Sequence, residues 1–160
     1  MFVDCYACQR NQQGREYWGP GPWQNEPDGP IAFDHRGLSC FVHRGNSVWC
    51  GYVGVPEGHL WHGKEYGEID VGVHGGLTFA EDSGPHGIKD GRWYIGFDCG
   101  HAFDLSPFLH AVSYGRLPGS RPLPDGLLEG FGEGEHYWTM QEAIEETKRL
   151  AEQVAGQVER

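Results

Sequence analysis

The segment from Thr139 to Val158 constrains the fold most. Met140, Ala143, Ile144, Thr147, Leu150, Ala151, Val154 and Val158 recur at three- and four-residue spacing, so one stripe of a helix is apolar and has to be covered. Thr139 and Glu142 have the spacing of a capping box, in which the hydroxyl and the carboxylate each satisfy a free N–H of the first turn. Glu142, Glu145 and Glu146 come early and Lys148 and Arg149 later, the order the helix dipole favours.

What covers that stripe is β-rich sequence upstream. LSCFVHR (38–44) and SVWCGYVGV (47–55) read as a hairpin turning at Arg44-Gly45-Asn46-Ser47 and ending before Pro56. IDVGVHGGLTFA (69–80) and GRWYIGFDC (91–99) supply two further strands, joined by the loop chemistry of EDSGPHGIKD (81–90). The expected fold is α+β: a mostly antiparallel sheet of about four strands, with the C-terminal helix on one face and long Gly/Pro-rich loops. The 160 residues fit one domain. Within it, residues 1–37 are an irregular wrap pinned by Trp and Tyr, 38–104 the sheet core, 105–136 a loop excursion and 139–158 the helix.

Twelve Lys plus Arg against 23 Asp plus Glu give a formal charge of -11. That balance argues against direct nucleic-acid binding through phosphate neutralisation and against adhesion to anionic lipid, and it leaves basic partners open. No run reaches the roughly 18 apolar residues a membrane span needs, and the opening MFVDCYACQRNQQ lacks the pattern of a secretory signal, so the expected location is cytoplasmic. Five cysteines, an odd number at irregular spacing, suit reduced thiols better than a disulfide framework.

HGGLTF (74–79) and WYIGFDCGHAFD (93–104) carry the candidate chemistry. Strand alternation puts Val71, Val73, Leu77 and Phe79 under the helix and leaves Gly72, His74, Gly76 and Thr78 on the other face. The same alternation turns Asp98 and Gly96 away from the core. His74, Asp98, His101 and Asp104 then surround one pocket lined by Thr78 and floored by Gly72, Gly76 and Gly96, where absent side chains let a ligand approach the backbone. Two imidazoles and two carboxylates suit a divalent metal such as zinc, or a histidine general base oriented by a carboxylate. The competing explanation is that His101 and Asp104 cap a turn. Cys99 is a nucleophile by chemistry, but its parity points it inward, where cysteines are inert.

Two other clusters carry weaker signals. EGHLWHGKEYGEID (57–70) holds His59 and His62 beside Trp61 and Tyr66, a loop that the aromatics anchor on the sheet or that walls a planar ligand. Cys5 and Cys8 have the spacing of a zinc knuckle. Cys40 and His43 have it too, but three apart on a strand they face opposite ways.

CGYVGVPEGHLWHGKEY, VGVHGGLTF and WYIGFDCGHAFDL, with the helix after its YWT start, resemble a group of small proteins encoded by tailed bacteriophages and prophages, over roughly residues 36–105 and 137–155. The resemblance implies a phage protein working inside a bacterial cell and brings no activity or ligand residues with it. Two functions from different classes follow. One is a small hydrolase or transferase acting on a polar or nucleotide-like small molecule through the His/Asp pocket. The other is a non-enzymatic phage protein that sequesters a small molecule or blocks a host bacterial protein through an acidic surface.

Overall fold

A computed structural model describes residues 14–45, 47–124 and 134–157. Besides short 3-10 turns, the described residues form strands β1 (Ile31–His35), β2 (Leu38–Gly45), β3 (Val48–Val55), β4 (Phe79–Glu81) and β5 (Trp93–Asp98), and helices α1 (Pro107–Ser113) and α2 (Met140–Gly156). The sheet runs β1-β2-β3-β5-β4 with every neighbouring pair antiparallel, and α2 packs across β3 and β2. The fold is α+β as expected, with five strands in place of about four.

The capping box is formed: Thr139 Oγ1 accepts from the Glu142 N–H at 3.2 Å, and Glu142 Oε1 accepts from the Thr139 N–H at 3.1 Å. Ala143, Thr147, Leu150, Ala151 and Val154 are fully buried against the inward parity of the strands, Cys40, Val42, Trp49, Val53, Ile95 and Phe97. Gly51 lets the helix come this close, since a Cβ there would stand 2.2 Å from Thr147 Oγ1. No helix of the described residues is long and apolar enough to cross a membrane.

Three local expectations are corrected. The wrap does not run irregularly to residue 37, because Ile31–His35 pairs with β2 through a two-residue turn at Arg36 and Gly37, both with positive φ (53° and 76°). The excursion after 105 contains α1, whose N-cap Ser106 accepts from the Leu109 N–H at 3.3 Å and whose first position is Pro107. Residues 70–78 are not strand: the Gly76 N–H bonds the Val73 carbonyl at 2.9 Å, with Gly75 and Gly76 at φ +68° and +80°, and only Phe79–Glu81 joins the sheet. The alternation changes after that turn, between Leu77 and Phe79. Val71, Val73, Leu77 and Ala80 pack on the core, while Phe79 turns to the opposite face and meets the Tyr52 ring edge-on at 5.2 Å.

The face away from α2 is a second aromatic layer, not open surface. Phe41 and Tyr94 are buried there 6.0 Å apart, and His43 contacts the Tyr52 hydroxyl at 3.1 Å and the His86 ring at 5.3 Å. At the other end of the sheet the wrap is pinned as its aromatics suggest: Trp18 and Trp23 are buried, and the fully buried Arg44 guanidinium lies between Trp18 (5.4 Å) and Trp49 (5.0 Å). Arg44 also donates to Glu26 Oε1 at 3.0 Å and to the Tyr137 hydroxyl at 3.2 Å, so its charge is paired and the wrap is tied to the segment that leads into α2. The Cys5–Cys8 pair, Asn46 of the hairpin turn, residues 125–133 of the excursion and Val158 of the helical stripe lie outside the described residues.

Candidate functional site

Where β5 ends, the 70–78 loop passes and α2 begins, a corner collects histidines and carboxylates. His74 comes from the loop, and α2 holds its backbone from below. Glu146 Oε1, on the buried face of the helix, accepts the His74 N–H at 3.0 Å, and two turns on Gln153 brackets Gly72, accepting from its N–H and donating to its carbonyl, both at 2.8 Å. The indole of Trp138 lies 4.1 Å from the His74 ring, tilted by 33°.

His101 and Asp104 come from the turn that follows β5. The Asp104 N–H bonds the His101 carbonyl at 3.0 Å, and Phe103, 78% exposed, takes φ +71° between them. Asp104 is fixed from the other side by a parallel bridge to His136. Its carboxylate, only 4% exposed, accepts from the His101 N–H at 3.0 Å and lies 2.7 Å from His74 Nε2. Asp104 therefore does cap its turn, and the same oxygen also meets a histidine from a distant loop.

The His101 ring stands edge-on to His74 with centroids 5.5 Å apart. Its Nδ1 is 3.5 Å from Asp104 Oδ2 and its Nε2 is 3.7 Å from Asp98 Oδ1, separations too long for hydrogen bonds. Both nitrogens are buried with no hydrogen-bond partner. One donor atom from each of His74, His101 and Asp104 lies within 4.8 Å of the others.

The glycine pair beside His74 now has a reason. A Cβ on Gly75 would lie 2.2 Å from His101 Cε1 and 2.4 Å from Nδ1, so the imidazole rests flat against that backbone; Gly76 faces open space. The other predicted glycines do not floor this corner, although Gly72 lines a separate open groove with Arg149, Glu152 and Gln153. Gly72 is held by Gln153 on the helix, and Gly96 is covered by Tyr52, whose ring would be 2.7 Å from a Cβ. Thr78 is not turned to a ligand but donates to Asp98 Oδ2 at 3.1 Å.

Asp98 also accepts from the Gly100 N–H at 3.0 Å, and no hydrogen bond or ion pair joins it to His74. Of the four residues expected to share one pocket, three converge and Asp98 adjoins them through His101. Cys99 is buried, and its thiol is pushed up by burial first, then by Cys50 and by the carboxylates of Asp104, Asp98 and Glu146, so it stays protonated and is no nucleophile. In the 57–70 loop, His59 spans the Trp61 N–H and the Val154 carbonyl (3.0 and 2.8 Å), His62 meets the Gly91 carbonyl at 3.0 Å, and Trp61 is buried. Those residues anchor the loop.

Sequence reasoning missed Glu146, Trp138 and the specific need for Gly75. Glu146 was signalled by its place on the inward stripe between Ala143 and Leu150, where an acid with no apolar reason to be buried has to have a partner. No family model, curated protein or solved structure matches this chain.

Proposed function

We propose that His74, His101 and Asp104 hold a divalent cation of the zinc type, and that the chain is a small hydrolase or transferase acting on a polar, nucleotide-like small molecule. The convergence of one donor atom from each within 4.8 Å carries this assignment. Ligands about 2.0–2.2 Å from a tetrahedral zinc stand about 3.3 Å apart, so the separations of 2.7 and 3.5 Å at Asp104 need only small shifts. Two imidazoles and one carboxylate form a mixed donor set that leaves positions for water and substrate. Burying both His101 nitrogens unpartnered is costly, by about 1–3 kcal/mol for an unsatisfied group, and coordination of one of them relieves part of that cost.

A bound ion there supplies Lewis acidity and an activated water. The chain's own part is to hold its ligands still: Glu146 and Trp138 fix His74, the His101 N–H fixes Asp104, and Gly75 leaves the space that His101 fills. The setting we assign, from the phage resemblance, is an accessory protein in the cytoplasm of a bacterial host. The formal charge of -11 favours a second function, an acidic surface that occupies a basic host protein.

Calorimetric titration of chelator-free protein with Zn²⁺, Mn²⁺ and Co²⁺ separates the two. Wild type should bind one ion, and His74→Ala and Asp104→Ala should each lose most of that affinity while still melting cooperatively. Wild-type protein that takes up none of the three ions would transfer the assignment to the acidic surface.

A further inference from the structure

We infer that Asp98 is a positioning residue for this corner: it accepts the proton on His101 Nε2, so that the Nδ1 lone pair faces the cation beside His74 and Asp104. The inference rests on the cation assignment above and gives the fourth predicted residue a role other than ligation.

The carboxylate is built in before His101 reaches it. Asp98 ends β5 on the face away from α2, and its two oxygens are taken separately by the Thr78 hydroxyl (3.1 Å) and the Gly100 N–H (3.0 Å). That orientation leaves Oδ1 3.7 Å from His101 Nε2, while Asp104 Oδ2 is 3.5 Å from Nδ1 on the other side of the ring. Gly75 lies flat against the imidazole, so the ring slides in its own plane between the two carboxylates more easily than it tips. Asp104 already meets His74, whereas no hydrogen bond or ion pair joins Asp98 to His74 and its oxygens stand outside the converging donor group, so Asp98 acts on an ion shared by His74 and Asp104 through the imidazole. A neutral imidazole has one proton to place. Given to Asp98, that proton leaves the other nitrogen free to coordinate, and a carboxylate on the far nitrogen of a metal-bound histidine fixes its tautomer and raises its basicity. Thr78 then acts through Asp98.

The test uses the full chain, ¹⁵N-labelled, titrated with Zn²⁺ alone. Long-range ¹H–¹⁵N spectra should show His101 bound through Nδ1 and protonated on Nε2. Competition with a chromophoric chelator should show Asp98→Ala weakening Zn²⁺ binding by about 10–100-fold. Asp98→Asn, which keeps an acceptor oxygen in place, should recover most of that loss, and Thr78→Val should fall between. Coordination through Nε2, or Asp98→Ala binding Zn²⁺ as wild type does, overturns the role of Asp98 and leaves the cation site standing. A wild-type chain that binds no Zn²⁺ overturns both. Should Asp98→Ala fail to fold, the His101 tautomer in the wild-type chain decides alone.

Discussion

Gly75 and Gly76 form a natural pair for separating backbone cost from site geometry. Both have positive φ, +68° and +80°, so alanine at either position meets the left-handed penalty of about 1–2 kcal/mol, partly offset by the smaller entropy of the unfolded chain. Their surroundings differ. The Cβ of Gly76→Ala enters open space, whereas that of Gly75→Ala would lie 2.2–2.6 Å from three atoms of the His101 ring. The His101 side chain is 30% exposed and turns about two bonds, so it swings away and adds little to the folding penalty. Urea denaturation should therefore place the two variants within about 1 kcal/mol of each other. Chelator competition should separate them: Gly76→Ala keeps the wild-type affinity for Zn²⁺, and Gly75→Ala loses more than about tenfold, or 1.4 kcal/mol. Equal affinities would refute the idea that Gly75 exists to seat His101.

Leu150→Ala should cost about 2–5 kcal/mol in a thermal or urea melt, because Leu150 is fully buried at the centre of the α2 stripe; an unchanged melt would remove α2 from the core. Burial first, and then the neighbouring His86, hold the His43 imidazole down at about 4. The unfolded chain takes up this proton near pH 6.5 while the folded chain resists it, so the contribution is full above about pH 6.5 and is lost as pH falls toward 4, by at most about 3 kcal/mol. Stability measured at pH 7 and 4.5 should differ less in His43→Gln than in wild type, and an identical difference would contradict the neutral buried imidazole. Cys40 is pushed up to about 12 by burial and by Asp34, and Cys99 is raised further, so native protein at pH 8 should leave both unalkylated; recovering a Cys40–Cys50 bridge from cells lysed under thiol-trapping would contradict the free thiols.

Elements with a strong period were legible in the sequence: the α2 stripe with its capping box, the 38–55 hairpin and β5. β1 was hidden because Arg36 occupies a positive-φ turn position that asparagine or glycine usually marks, and because its run follows a tract of Pro and Gly. α1 was signalled by Ser106 and Pro107, a capping residue and a proline at the first helical position, and the surrounding Pro/Gly content masked them. At 70–78 strand alternation was the wrong tool, since two consecutive positive-φ glycines make a turn ahead of β4, and although Leu77 keeps the core side with Val71 and Val73, the parity changes before Phe79 pairs in the sheet. His74, His101 and Asp104 still meet because the short His101–Asp104 turn and the loop fastened by Glu146 and Gln153 enter one corner, geometry that no period encodes. The glycine floor failed for a related reason: a glycine in a strand leaves room, and in Gly96 a tyrosine of the adjacent strand has filled it.

A crystal structure of the full chain grown with zinc, phased on the metal's anomalous signal, tests the central claim most directly. The account predicts one strong peak about 2.0–2.2 Å from Nε2 of His74, Nδ1 of His101 and a carboxylate oxygen of Asp104. A map with no peak there, and with His74 still hydrogen-bonded to Asp104, would contradict it and leave Asp104 as the cap of a turn.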